Sequence, residues 1–395
     1  MRRDFWTPDM SGVDWDGVLG DYRPLLDRVR GANDFTDLMW EVVAELGTSH
    51  SYITRASADG HDRGAAAVGL LGADISRDAA SRWVVDRVLP GESSDPRARS
   101  PLEAPGVVAR AGDELVAVDG RPVDPAFGPA PLLAGTVGKP VELTIRPQSQ
   151  SATRSVVVVP LRDERRLRYQ DWVTGRRRLV RELGEGRLGY LHIPNMIGEG
   201  WADFHRDLHT EMRFDALVMD VRGNGGGHIS QLVVEKLARR VIGWDQGRWI
   251  QPESYPQDGR RGPVVTVADE FAGSDGDIVT AAIKLLGLGP VVGTRTWGGV
   301  IGIEGVPGHE LVDGTHMTVP RYAFSFDEYG WGVENHGVDP DVEVLITPDD
   351  WAAGRDPQLE TAVRLALEAL EKQSPKVPAD PATGPSKARP PLPPR

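Results

Sequence analysis

Twice between Ala216 and Leu286 a short aliphatic run ends in a glycine-bearing turn and hands over to an amphipathic helix. That repeated switch from strand to helix confines the surrounding region to an α/β architecture. In the first unit, Ala216 to Val221 reads as a buried strand, Asp220-Val221-Arg222-Gly223-Asn224-Gly225-Gly226-Gly227 as a loop, and Ile229 to Arg240 as a helix. In the second, Val264 to Val267 is a β-branched run, Ala272 and Gly273 permit a sharp turn, and Asp275 and Asp277 stand where acids favour the first turn of a helix through Ile278, Val279, Ala282 and Leu285. Ser274 occupies the joint. A serine there is either an N-cap or a nucleophile whose reaction partner would face the helix N-terminus and its unpaired amides.

The glycine-rich loop matches no nucleotide-binding pattern, since its spacing is not G-x-G-x-x-G and His228 stands where a phosphate loop needs Lys-Ser or Lys-Thr. Consecutive glycines instead let backbone N–H groups approach a reacting oxygen, as an oxyanion hole requires. Two further loops carry chemistry-bearing side chains. Thr48-Ser49-His50-Ser51-Tyr52 follows a helix read over Phe35 to Leu46, with Asn33 and Asp34 as its caps, and Gly330 to Pro340 holds Glu334 among glycines. Acyl transfer asks for a nucleophile, a base, a group orienting the base and oxyanion donors, and these loops supply a candidate for each. Asp275, Asp277, Glu334 and His50 could alternatively hold a metal with a bound water as nucleophile, although their spacing fits no metal motif.

The remaining chain frames this region. From Trp15 to Leu46 the pattern is helical, and residues 65–161 form a β-rich module in which Gly112 to Gly120, GDELVAVDG, is a strand closed by an Asp-Gly turn while Val141, Leu143 and Ile145 alternate. That phrase resembles the PDZ domains of bacterial proteases, and Gly69-Leu70-Leu71-Gly72 weakly resembles their carboxylate-binding loop; the module would bind peptides by strand addition or serve as a spacer. Arg162 to Arg181 reads as a charged connector, a last helix lies near Pro357 to Lys372, and Ser374 to Arg395, with eight prolines in 22 residues, reads as a disordered tail. A net charge of −13 argues against nucleic acid as a partner. The absence of cysteine excludes disulfides and thiol catalysis. Neither a signal peptide nor an apolar span is visible, so a cytoplasmic location is expected.

The phrases DVRGNGGG, ADEFAGSDGDIV, GTRTWGGVIGI and GWGVENHGVDPD together resemble the catalytic region of the tricorn protease family, a relative of the tail-specific, or carboxy-terminal processing, serine proteases. The latter use a Ser-Lys dyad, but here Gly299 stands in the lysine's place. The resemblance implies that Ser274 is the nucleophile and His50 the base, that Ser49 and Glu334 complete a tetrad, and that the N–H groups of Gly227 and Asp275 form the oxyanion hole. It also implies that Asp245 acts as a buried carboxylate selecting Lys or Arg on the acyl side of the cut, reaching a neighbouring subunit's site in a homo-oligomer. No metal or cofactor is implied. The expected organisation is a helical N-terminal part of the catalytic core over 1–64, the PDZ-like domain over 65–161, a crotonase-like α/β serine peptidase domain over 162–373 and the tail over 374–395. The alternative is a PDZ-containing peptide-binding protein with an inactive core. Tricorn proteases carry two β-propellers ahead of this region, whereas this sequence begins almost at the helical segment.

Overall fold

The computed structural model describes residues 1–55, 66–303, 309–384 and 386–389, and divides into two compact units. Met1–Ser57 and Arg177–Arg395 make one, Ala58–Arg176 the other.

The larger unit is built on a five-stranded, all-parallel sheet. Its strands are β1 (Leu188–His192), β2 (Ala216–Asp220), β3 (Val264–Ala268), β4 (Val291–Gly293) and β5 (Val342–Glu343), in the spatial order β5-β4-β3-β2-β1. The register sets His192 opposite Asp220 and Val264 opposite Leu217. Every residue of β1 to β4 is buried, as a sheet covered on both faces demands. Leu191, Leu217, Met219 and Val264 share one core with Phe204 and Leu208 of α1 (Gly198–Glu211), Val233 and Leu237 of α2 (Ser230–Ala238), and Val279 and Ile283 of α3 (Asp275–Leu285). The alternate residues Tyr190, Val218 and Val265 are equally buried and leave the other face to α4 (Pro357–Lys372), which packs on β2, β3 and β4. The turns that follow β2 and β3 therefore emerge side by side at the carboxyl edge of the sheet, where open α/β folds place their sites.

The N-terminal helices, Trp15–Tyr22 and Ala32–Ala44, belong to this unit and bury Phe5, Trp15, Val42 and Leu46 together. Gly31, rather than Asn33 or Asp34, is the N-cap of the second; Asp34 sits in the first turn and accepts from Arg30 N–H at 2.8 Å. Ile53 and Thr54 then pair with Met317 and His316, which anchors the segment carrying His50.

The smaller unit is an antiparallel sheet over Ala73–Arg77, Trp83–Val88, Glu114–Val118, Arg121–Pro122, Val141–Arg146 and Arg154–Val158 around Leu71, Leu115, Leu143 and Ile145. Its glycine-bracketed stretch is spoken for by its own chain. Gly69 N–H donates to Leu133 O, Leu70 N–H to Leu161 O, and Gly72 N–H to Glu164 Oε1 at 2.7 Å. A peptide carboxylate would find those three amides occupied.

The arginine-rich connector is in fact a helix, Arg165–Leu183. Leu167, Val173 and Val180 form its buried stripe, while its arginines pair with acids, as Arg177 does with Asp207 and Arg168 with Asp74. Beyond Lys372 the described residues hold only the short 3-10 turn Pro381–Thr383, and Lys376 N–H donates to Arg261 O; residues 385 and 390–395 of the expected tail lie outside the described residues.

Candidate active site

A buried ion cluster anchors the glycine-rich loop. Arg222, just past β2, donates through Nη2 to Asp220 at 2.7 Å, through Nη1 and Nη2 to Asp356 at 3.0 and 3.1 Å, and through Nη1 to Gln358 at 3.2 Å. Tyr190 Oη donates to the same Asp220 at 2.8 Å. Burial lowers the pKa of His192, so its neutral ring donates Nε2–H to Arg222 O at 3.0 Å. Farther along, Asn224 Nδ2 donates to Ile193 O, and its own carbonyl accepts Gly273 N–H at 2.9 Å. The loop is thereby stitched to the turn after β3. Gly227 has φ +149°, and a Cβ there would lie 2.0 Å from Met196 O; a Cβ on Gly226 would lie 2.5 Å from Ser274 Cβ. Only glycine lets this backbone come so close to the serine.

Ser274 stands at the N-cap position of α3 but does not cap it. Its φ of 58° and ψ of −118° are strained for a residue with a Cβ, and its hydroxyl makes no hydrogen bond among the described residues. The next residue takes over the work of joining helices, since the Asp275 carboxylate accepts from both Ser230 N–H and Ser230 Oγ at the start of α2. Gly227 N–H and Asp275 N–H likewise donate to nothing among the described residues. A half-buried hydroxyl and two unspent amides thus meet where the dipole of α3 favours negative charge.

His50 is buried and also has positive φ, 61°. Thr318 holds that backbone by donating Oγ1–H to His50 O at 2.6 Å and accepting Tyr52 N–H at 2.7 Å. Ser49 Oγ lies 2.8 Å from His50 Nδ1 and 3.1 Å from Glu334 Oε2. Glu334 also accepts from Ser49 N–H, Thr48 Oγ1, Val300 N–H and Ile301 N–H. Because an ionised carboxylate only accepts, the Ser49 hydroxyl proton goes to Glu334, and Ser49 Oγ accepts Nδ1–H of His50. This chain of donors assigns the tautomer and leaves Nε2 with a lone pair. Burial lowers the His50 pKa, and the Glu334 charge offsets part of that shift. Ser49, His50 and Glu334 are therefore one hydrogen-bonded unit, but no hydrogen bond joins it to Ser274.

The indole of Trp297 borders both His50 and the turn that carries Ser274. Its ring meets the His50 ring edge-on, with centroids 5.5 Å apart and an interplanar angle of 71°, and lies so close to Gly273 that a Cβ there would be 2.7 Å from it. A Cβ on Gly299 would meet the same indole at 2.3 Å and Ser49 Cβ at 3.0 Å. No side chain, lysine included, fits at Gly299 beside Trp297 and Ser49. Asp277 secures this loop: buried in α3, it accepts from Thr296 Oγ1, from Gly298 N–H at 2.8 Å and from Gly299 N–H at 3.1 Å, while burial pushes its carboxyl pKa up. The sequence marks neither Trp297 nor Thr318 as a site residue, and it offers Asp277 only as a first-turn acid or an alternative metal ligand, not as the anchor of this loop. No group of residues suited to a metal ion occurs among the described residues.

Asp245 lies apart from this cluster. It is exposed at the end of the two-stranded hairpin Gly243–Asp245 with Glu253–Tyr255, not buried as expected, and makes no hydrogen bond or ion pair with Ser274, His50, Ser49 or Glu334. His336 is also peripheral, exposed and paired with Asp339 at 2.9 Å.

Comparison with known proteins gives the family of the chain. Residues 1–44 match the tricorn protease C1 domain, 69–163 the tricorn protease PDZ domain and 187–344 peptidase family S41. Tricorn protease homolog 1 of Streptomyces coelicolor is 62% identical over 96% of this chain and 35% of its own length. For the tricorn protease of Thermoplasma volcanium the figures are 37%, 95% and 36%. A crystal structure of the tricorn protease superposes with a TM-score of 0.87 at 35% identity, covering 94% of this chain and 36% of that one. This chain thus spans about a third of the length of these relatives. With a tricorn C1 region, a tricorn PDZ domain and a peptidase family S41 region in order on one chain, it belongs to the tricorn protease family, within peptidase family S41.

Proposed function

We propose that the chain hydrolyses short or unfolded peptides as a serine peptidase and cuts after Lys or Arg. The observation that carries this reading is the uncommitted Ser274 hydroxyl beside the undonated N–H groups of Gly227 and Asp275. Ser274 Oγ attacks the scissile carbonyl carbon as its proton passes to His50 Nε2; the carbonyl oxygen gains the negative charge and is met by the two amides. The imidazolium then gives that proton to the departing amine, leaving an acyl-enzyme that water hydrolyses by the same steps. Ser49 and Glu334 hold the tautomer and stabilise the imidazolium. In this reading His50 Nε2 and Ser274 Oγ reach hydrogen-bond distance in the substrate complex, as catalytic hydrogen bonds often tighten only when substrate is bound.

Asp245 is proposed to select the basic side chain by charge pairing. Its exposure away from its own chain's tetrad is consistent with action at a neighbouring subunit's site, which makes a homo-oligomer part of the proposal. A cytoplasmic location is part of it too; no helix among the described residues is long and apolar enough to cross a membrane.

The test is fluorophosphonate labelling with the adduct mapped by mass spectrometry, together with fluorogenic peptides ending in Arg, Lys, Phe or Asp. An adduct on Ser274 and cleavage after Arg and Lys are expected, with Asp245→Ala losing basic-site cleavage selectively. A folded protein that takes up no label and cuts no peptide would mark the chain as a peptide-binding module.

The acid limb of activity offers a separate check. The base form of His50 exists above its pKa, and activity is lost as pH falls through it. Burial lowers that pKa from the ordinary 6.5, so the acid limb of kcat/KM should lie below 6.5. Glu334→Gln removes the charge that raises it, so the limb should move to still lower pH while kcat falls by about 10²–10⁴-fold. A limb that shifts upward would refute this account of His50.

A further inference from the structure

At the amino edge of the same sheet, where β3 begins and the chain enters β4, lies a cavity of about 500 Å³. Its lining includes Arg240, Arg260, Arg261 and Lys376 beside apolar Ile242 and Leu288, and it contains no acidic residue. In a protein of net charge −13 such a local excess of cations needs a reason.

The individual arginines sharpen the point. Arg261 is satisfied, donating to Lys376 O and Arg213 O and lying 3.5 Å from Asp215. Arg260 is not: Nη1 donates to Leu288 O at 3.1 Å, but its Nε–H is buried with no acceptor. Arg240, which is exposed, is bridged to Arg260 through the backbone and has no ion-pair partner among the described residues, so two cationic side chains start from paired positions with no acid between them in the cavity lining. Burial and the Arg240 charge both lower the pKa of Arg260, the sense expected of a cation short of counter-charge. A buried donor without an acceptor is costly, and an anion that completed it would also relieve the repulsion between the two cations.

We infer that this cavity is a binding site for a compact small-molecule anion carrying at least two negative charges, phosphate or carboxylate, held by the guanidinium groups of Arg240 and Arg260 with Lys376 at the rim. Forked guanidinium donors suit either group, and the volume fits a small ligand with an apolar part against Ile242 and Leu288. β3 is five residues long, so roughly 16 Å of strand separates the cavity from the Ser274 turn, and the site is distinct from the proposed catalytic one.

The test uses the full chain, with inorganic pyrophosphate and citrate as probes against sodium chloride of equal ionic strength, following Tm and the heat of binding. At a hundredfold excess over Kd, at least one probe should raise Tm by about 3–5 °C; the more effective probe identifies the headgroup as phosphate or carboxylate. Arg240→Gln should raise the ligand-free Tm by relieving repulsion and reduce the probe-dependent shift at least threefold. Arg260→Gln should reduce the shift likewise. Arg364→Gln, an equal change of charge at an exposed surface pair, should keep the shift. If neither probe acts beyond the chloride control, or if Arg240→Gln and Arg260→Gln respond as wild type does, the inference is wrong. These readouts involve no peptide hydrolysis and so stand or fall independently of the catalytic proposal.

Discussion

Ser274→Ala is expected to reduce kcat on a basic-site peptide by about 10⁵–10⁶-fold with little change in KM or in Tm. The Ser274 hydroxyl makes no hydrogen bond among the described residues, so its removal orphans no partner there and opens no internal cavity of consequence. The strained φ of 58° is imposed by the turn between β3 and α3, and alanine neither relieves nor worsens it. Almost the whole effect should therefore appear in the chemical step. His50→Ala should cost nearly as much, because without Nε2 the serine has no acceptor for its proton. The two losses should not add: once either partner is gone, the other has nothing to activate or to be activated by, and the residual rate belongs to the oxyanion donors and to binding. A double variant far slower than either single one, or a Ser274→Ala protein retaining a tenth of wild-type kcat, would mean that the two residues do not act as a unit.

The larger architecture was legible because its signals are local. A buried parallel strand must be a short continuous apolar run, a helix that covers it must be amphipathic, and both patterns are plain at Ala216–Ala238 and Val264–Leu285. Signals that depend on distant partners fared worse. Leu167, Val173 and Val180 are a sparse stripe among arginines, and the helix bearing them shows itself only once acids elsewhere in the fold, such as Asp207, offset the charge. The cap at Gly31 contributes no side chain, so residues with better capping chemistry nearby are misleading. The site divides along the same line. Ser274 and the glycine loop follow from strand–turn–helix logic, whereas the union of Ser49 and His50 with Glu334, some 285 residues apart in sequence, was accessible only through family resemblance. Trp297 escaped both routes, because a tryptophan between a threonine and a pair of glycines carries no sign that a histidine ring will pack against it.

Asp220→Ala should destabilise the larger unit by about 3–5 kcal/mol at pH 7, the usual cost of removing one member of a buried, hydrogen-bonded ion pair. Asp220 is fully buried, and its carboxylate meets Arg222 and the hydroxyl of Tyr190. Alanine would leave Arg222, 8% exposed, with the Asp356 carboxylate as its remaining charged partner, and would deprive the Tyr190 hydroxyl of this acceptor. Urea denaturation should report the change as a lower midpoint with the slope unaltered. A pH series separates the ion pair from simple packing. Burial alone would raise the Asp220 pKa, but the Arg222 charge and hydrogen bonds overcome it and hold the carboxyl below the usual range. Its contribution is therefore complete above the unfolded-state pKa of about 4 and is lost as pH falls through the lower, folded-state value. The stability gap between wild type and Asp220→Ala should be constant above about pH 5 and shrink in acid; a gap that persists at pH 2 would mean that the variant fails through its cavity. Because Arg222 also accepts from His192 and opens the glycine loop, the destabilised protein should lose activity before it loses its fold. The same pair of charges that secures the sheet's carboxyl edge thus fixes the backbone on which Gly227 N–H would meet the oxyanion.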